Sequence, residues 1–376
     1  MTRLTLRSLA LSALLLTAGE ALALETSGDL RVGYDAAWRD TRDGRQIDAD
    51  AITSRFRYRI RHAWSEQWRF QTRLATSWAD RANDPEVYLR SHREFGTAVE
   101  PGTTTLDELF VQYTAPSSGT EIRIGRFQSN LDLPNMATRS FDRSQASSVN
   151  IGWTDGISVR HPLGDWYGEG VLQYNGPDGN GQATRGPLTF DDSGSRVSFF
   201  GVLGSDAELG PIFMRALSLT VYPDALATAG AASPEREDYV LAAFKLGAGW
   251  DVGDAGRRLV AVGEVAHAFD TPLRSTIGLP GEGRVDGWGW QAGLDLVNIF
   301  PRNTWGINYG QSDGGMLISN DFRQNNELAE FRWQYYATAS LRVEFRARWR
   351  RELTRRADAA FLLRDRDMRL RMTYRF

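Results

Sequence analysis

Apolar and polar residues alternate along most of the chain, and a period of two belongs to β-strands. In SRFRYRIRH, residues 54–62, Phe56, Tyr58, Ile60 and His62 fall on one face and Arg55, Arg57, Arg59 and Arg61 on the other. Residues 341–350 repeat the division, with Leu341, Val343, Phe345, Ala347 and Trp349 opposing Arg342, Glu344, Arg346, Arg348 and Arg350. In MRLRMTYRF, Met368, Leu370, Met372, Tyr374 and Phe376 oppose Arg369, Arg371, Thr373 and Arg375. The pattern predicts sixteen strands, at about 28–39, 53–63, 67–79, 106–115, 120–127, 149–160, 165–175, 194–203, 211–222, 237–248, 257–268, 285–298, 303–311, 326–337, 340–351 and 366–376. Many exceed the usual soluble strand of about 5–6 residues and are long enough to cross a bilayer at a tilt.

The connections alternate in length. Short ones contain WSEQ, PSSG, HPLGD, DAELG, DVGDA, PRN and a tight TA turn. Long, polar, Gly- or Asp-rich ones cover about 40–52, 80–105, 128–148, 176–193, 223–236, 269–284, 312–325 and 352–365. Sixteen antiparallel strands need eight connections at one rim and seven at the other, and the count closes. The expected fold is all-β: a closed antiparallel transmembrane β-barrel with short periplasmic turns and longer extracellular loops, in which closure removes unpaired edges that lipid does not tolerate. Trp38, Trp68, Trp78, Trp153, Trp166, Trp290, Trp333, Trp349 and Tyr374 lie near strand ends or on apolar faces, as interfacial aromatics do.

Residues 1–23 carry Arg3 and Arg7, an apolar run Leu9–Leu16 and the small-residue ending Ala21-Leu22-Ala23, which is the form of a cleaved secretory signal peptide. The expected division is a signal at 1–23 and a barrel at 24–376. No later stretch stays apolar for the roughly 20 residues a membrane helix needs. The formal charge of -3 and the mixing of both signs argue against a nucleic-acid binder. No cysteine is present, which removes disulfides, thiolate chemistry and Cys-based metal sites. Of the 44 basic residues, only Lys245 is a lysine.

With its export signal, its sixteen alternating segments, the ending MTYRF, and ELFVQY and TEIRIGRF leading into the third long loop, the chain resembles a Gram-negative outer-membrane porin. The resemblance covers essentially the whole mature chain and rests on pattern. It implies a water-filled channel in the outer membrane, surrounded by lipid and lipopolysaccharide, for passive diffusion of small hydrophilic solutes or ions. It also implies a third external loop that narrows the channel, here QSNLDLPNMATRSFDRSQASS at 128–148. Trimers are expected from general porins, but the apolar belt identifies no subunit interface, and the oligomeric state stays open.

In such a barrel the polar phase faces the lumen. Arg55, Arg57, Arg59, Arg61, Arg342, Arg346, Arg348, Arg350, Arg369, Arg371 and Arg375 then form one basic sector, widened by Arg69 and Arg73. Asp132 and Asp142, with Arg139 and Arg143, are the charged candidates of the constriction loop, and Asp107 and Glu108 precede it. A transverse field between arginines and loop carboxylates would favour anions or polar solutes. Alternatively, some arginines make inter-strand ion pairs, with Glu330 and Glu344 as partners. The histidines His62, His92, His161 and His267 have no nucleophile in local sequence, so no enzyme is expected. The acidic stretches 79–86 and 191–195 lack EF-hand spacing, and neither metal nor cofactor is expected. The competing role is a non-catalytic barrel that binds a surface partner or scaffolds a complex.

Overall fold

β-Branched, aromatic and aliphatic residues at every second position give strands with one face for lipid and one for the interior. A computed structural model of the chain describes residues 24–79, 86–87, 103–143, 153–175, 186–190, 194–230, 232–253, 256–319 and 322–376. Its barrel strands are β1 (Leu24–Asp40), β2 (Gln46–Ala63), β3 (Trp68–Ala79), β4 (Thr103–Thr114), β5 (Glu121–Phe127), β6 (Thr154–Leu163), β7 (Trp166–Tyr174) and β8 (Val197–Ser205). The second half comprises β9 (Ile212–Ala227), β10 (Arg236–Asp251), β11 (Arg258–Ala268), β12 (Trp288–Val297), β13 (Asn303–Ser312), β14 (Asn326–Tyr336), β15 (Leu341–Glu352) and β16 (Arg364–Arg375). A two-residue segment, Glu86–Val87, runs parallel to Thr103 and Thr104 beside β4.

Each barrel strand pairs antiparallel with the next, and β16 pairs with β1 from Asp29↔Arg375 to Asp40↔Arg364, so the sheet closes. Gly28 and Phe376 exchange backbone hydrogen bonds of 2.8 and 3.1 Å at that seam. The sixteen predicted strands are all present. The expected loop 40–52 contracts to a turn at 41–45, because β1 and β2 stay paired as far as Asp40↔Gln46. Residues 46–50, Gln-Ile-Asp-Ala-Asp, alternate in polarity as the strand beyond them does, and both of their faces are exposed. Likewise β9 continues to Ala227, five residues into the expected loop at 223–236. The signal at 1–23, His92, residues 144–148 of the third loop, most of 79–86 and residues 191–193 lie outside the described residues.

The outward phase is apolar and exposed: Leu30, Val32 and Tyr34 on β1, Leu217 and Leu219 on β9, and Leu370 and Met372 on β16 are examples. This inverts a soluble protein and suits a wall bathed in lipid. Aromatic clusters mark both rims of that belt. Trp64, Trp68 and Tyr113 stack at the short-turn rim, with centroids 6.1 and 4.9 Å apart, and Trp305 and Trp333 lie near it. Trp290 and Tyr309 meet edge to face at 5.6 Å toward the long-loop rim.

Buried apolar clusters lie inside the barrel. Phe141, Leu188, Phe190, Met316, Leu317, Ile318 and Phe322 from the long connections pack on Tyr222, Leu241 and Ala266 of the wall. The Tyr239 hydroxyl donates to the Gly315 carbonyl at 2.9 Å and accepts from the Leu317 amide at 3.1 Å. One side of the long-loop mouth is therefore filled by folded-in loops.

Candidate channel wall and constriction loop

The inward phase of β14, β15, β16, β1, β2, β3 and β4 is a lattice of guanidinium and carboxylate groups in which most carboxylates serve two arginines. Glu344 accepts from Arg369 at 2.7 Å and Arg371 at 2.8 Å. Asp367 holds Arg346 and Arg348, each at 2.6 Å. Asp365 holds Arg39 at 2.7 Å and Arg323 at 2.5 Å, and Arg350 lies 4.0 Å away. Asp29 lies between Arg31 at 3.2 Å and Arg55 at 3.4 Å. The planar guanidinium fork suits such shared contacts, because it presents several donors at fixed angles.

A β-bulge builds the densest part of this lattice. Arg73 pairs with Glu108 while Leu74 pairs with Leu106, so Asp107 is the extra residue on β4. In a regular strand Asp107 and Glu108 would face opposite sides. Here both are buried on the inner face, where Asp107 meets Arg57 at 3.0 Å and Arg73 at 2.8 Å and Glu108 meets Arg59 at 3.1 Å and Arg73 at 2.8 Å.

Burial divides the thirteen wall arginines expected from sequence. Arg55, Arg57, Arg73, Arg346, Arg350, Arg369 and Arg371 are buried, and Arg348 is 11% exposed. Arg59 and Arg61 are 30% and 35% exposed, Arg342 is half-buried, and Arg69 and Arg375 are exposed. The accessible group lies toward the short-turn ends of its strands. Arg61 there contacts Glu25 at 3.2 Å and Gln71 at 3.1 Å.

The third long connection turns into the barrel over residues 128–143 and stands against β9–β14. Its anchor is Lys245, whose Nζ lies 2.7 Å from Asp142 and 3.0 Å from Glu264, all three fully shielded from solvent. The Ser140 and Ser218 hydroxyls donate to Asp142, and Glu264 accepts from the Phe141 amide at 3.0 Å and from Gln291 at 2.5 Å. Burial alone would raise the Asp142 carboxyl, but the Lys245 ammonium and the two hydroxyls outweigh it and hold the group below the usual carboxylate range. Further along, Arg139 pairs with Glu330, the Met136 amide donates to Asp295 at 2.6 Å, and Arg332 donates to the Met136 carbonyl at 2.8 Å. Arg143 reaches Gln173 at 2.7 Å and Thr154 at 3.0 Å.

Backbone space for this docking comes from inward-facing glycines. A Cβ at Gly289 would lie 2.8 Å from the Phe141 ring, and one at Gly247 only 3.3 Å from Pro134. Asp142 thus faces the barrel wall and is neutralised there, whereas the sequence expectation set it across the lumen from the arginines. Asp132 is half-buried, and Arg139 and Arg143 are buried. Lys245 and Glu264 were missed as site residues. The available signal was Lys245 itself, the sole lysine and the one inward cation on a strand of otherwise small or apolar inward residues.

No protein-family model matches the sequence, and no curated protein matches it. Solved structures do. The high-pH structure of Pseudomonas putida OprB superposes with a TM-score of 0.60 at 12% identity, covering 94% of each chain. The outer membrane channel DcaP of Acinetobacter baumannii gives 0.57 at 12% identity, covering 94% of this chain and 98% of that one. The anion-selective porin from Comamonas acidovorans gives 0.55 at 11% identity, covering 94% of this chain and all of the other. The fold is that of a porin. In this porin fold the inward third loop leans on β9–β14 and meets the arginine lattice at Glu330 and Arg332 of β14, from which the lattice continues across β15, β16 and β1–β4.

Proposed function

We propose that the chain is an outer-membrane channel that passes small hydrophilic solutes passively and prefers anions. The observation that carries this reading is the wall itself: inward arginines outnumber carboxylates on β15, β16, β1, β2 and β3, and Arg59, Arg61, Arg69, Arg342 and Arg375 keep accessible guanidinium groups. An anion moving along such a wall exchanges hydration water for charge-assisted hydrogen bonds, while a cation is repelled. The constriction loop adds no opposing carboxylate at Asp142, whose charge is taken up by Lys245. The anion selectivity stated for the Comamonas acidovorans protein supports the same direction at the level of shared architecture.

Residues 1–23 act in this proposal as the export signal and 24–376 as the barrel, with short turns in the periplasm and long loops outside. N-terminal sequencing of protein from isolated outer membranes tests the boundary, with Leu24 expected first. The channel itself is tested in planar bilayers under a salt gradient. Stepwise conductance with a reversal potential of anionic sign is expected. A correctly folded barrel that gives no steps would move the assignment to a surface-binding or scaffold role.

A further inference from the structure

The closing seam crosses an inner face crowded with cations. Register places Arg342 of β15, Thr373 of β16, Arg31 of β1 and Arg55 of β2 in one row across it. The next row toward the long loops holds Glu344, Arg371, Gly33 and Thr53, and the next toward the short turns holds Arg375, Asp29 and Arg57. On these four strands the three rows set six arginines against two carboxylates, with Asp107 of the bulge as a third that Arg57 shares with Arg73.

Neither carboxylate has capacity to spare. Glu344 is shared by Arg369 and Arg371, and Asp29 lies between Arg31 and Arg55. Arg31 and Arg55 stand directly opposite each other, an arrangement of like charges that destabilises a sheet. The charges of Arg57 and Arg342 also reach Arg31. The buried Arg31 Nε makes no hydrogen bond, and Arg342 forms no ion pair with a described residue. Arg31 and Arg342 flank Thr373 from its two sides, with Cα atoms two strand spacings, about 10 Å, apart. Gly33, opposite Arg371, contributes no side chain to fill the space between them.

We propose that one inorganic oxyanion, sulfate or phosphate, binds in this row as a structural ion that ties the seam shut. It accepts from Arg342, Arg371 and the Thr373 hydroxyl on β15 and β16 and from Arg31 on β1. A tetrahedral dianion presents acceptor oxygens in several directions at once, which suits donors arriving from both sides of the seam, and guanidinium bonds to such oxygens are charge-assisted. The ion offsets the repulsion between Arg31 and its neighbours. Because the row exists only when β16 and β1 are paired, the ion binds the closed barrel and not the open chain, so it shifts the folding equilibrium by mass action. None of this depends on whether the barrel conducts.

Urea unfolding of the full barrel in neutral detergent tests it, with sodium sulfate and sodium phosphate as probes and sodium chloride at matched ionic strength as the reference. Millimolar concentrations keep the general salting-out effect of these anions small. The unfolding equilibrium constant of wild type is expected to fall about tenfold by 10 mM oxyanion and then level off, which corresponds to a Kd of about 1 mM. Arg31→Gln/Arg342→Gln should show no such fall. The single variant Arg342→Gln, which breaks no ion pair with a described residue, should respond more weakly than wild type while being at least as stable without oxyanion, and it carries the test if the double variant does not fold. Arg61→Gln/Arg69→Gln, which removes two accessible arginines outside the row, should respond like wild type. A wild-type response no larger than that to chloride would overturn the proposal. So would an undiminished response in Arg342→Gln, or an equal loss in Arg61→Gln/Arg69→Gln, which would mean a diffuse counterion cloud rather than a site. Unfolding is read without any current, so a barrel that gives no conductance steps and still shows the shift separates this proposal from the channel reading.

Discussion

Lys245→Met removes the charge that pins the inward third loop while keeping most of the side-chain volume. Asp142 and Glu264 then share a site shielded from solvent with no cation between them. Removing one partner of a buried ion pair costs about 3–5 kcal/mol, because the remaining charge is left uncompensated. At about 1.4 kcal/mol per factor of ten, the balance between docked and released loop shifts by roughly a hundredfold to a few thousandfold. Arg139–Glu330 and the Arg332 hydrogen bond to Met136 still hold the preceding turn, so release should be confined to residues near 140–143. Single-channel recordings should show new rapid fluctuations and substates. The triple variant Asp142→Asn/Lys245→Met/Glu264→Gln, which removes the stranded charges as well, should restore quiet openings. A Lys245→Met barrel that resists denaturation like wild type and conducts with an identical trace would refute the anchoring role.

Other consequences concern the wall and the solvent. Neutralising Arg57, Arg59 and Arg346 together should move the reversal potential toward cations, and unchanged potential and conductance would remove them from the conducting wall. Asp107→Ala strands Arg57, while Arg73 keeps Glu108, and should destabilise the barrel by about 3–5 kcal/mol in urea unfolding from micelles. Glu108→Ala should cost less, because its partner Arg59 is 30% exposed and can turn to water. For pH, the docked Asp142 carboxyl lies below its ordinary value, so its contribution to docking is complete above that value and is lost as pH falls through the lower, docked one. The part of the channel noise that depends on Asp142, read as the difference from Asp142→Asn, should therefore change only below the ordinary aspartate value of about 3.9. A difference between wild type and Asp142→Asn that changes between pH 7 and pH 5 would contradict that direction.

The strands were legible because a wall between lipid and water must alternate, and β15 and β16 alternate almost without exception. At the start of β2 the period of two persists through Gln46, Ile47, Asp48, Ala49 and Asp50, but the density of acids there masks it as a loop. The bulge at Asp107 was equally hidden. Two adjacent acids suggest one inward and one outward, and only the register shift between Arg73 and Leu74 turns both to the same side. Loop docking depends on tertiary complementarity that no local pattern carries: Lys245 and Glu264 oppose each other across the β10–β11 pair, but Asp142 comes from a loop 103 residues from Lys245. The inward phase of the wall arginines could be read from sequence. Which of them stay accessible could not, because that depends on partners across strands.

The seam between β1 and β16 also constrains how the barrel can be made. Every other neighbouring pair of barrel strands is adjacent in sequence, whereas Asp29↔Arg375 joins opposite ends of the sheet. Chain-closure entropy must be met before such a contact gives any return, so this pairing is the slowest to gain by local search. Until it forms, β1 and β16 are open edges with unpaired backbone groups, able to accept a strand from another chain. Arg39–Asp365 and Arg366–Asp40 act across this seam and fix its register once the strands meet. Closure is thus a kinetic commitment as well as a final geometry, and any factor that shields those two edges during assembly sets the yield of folded barrel.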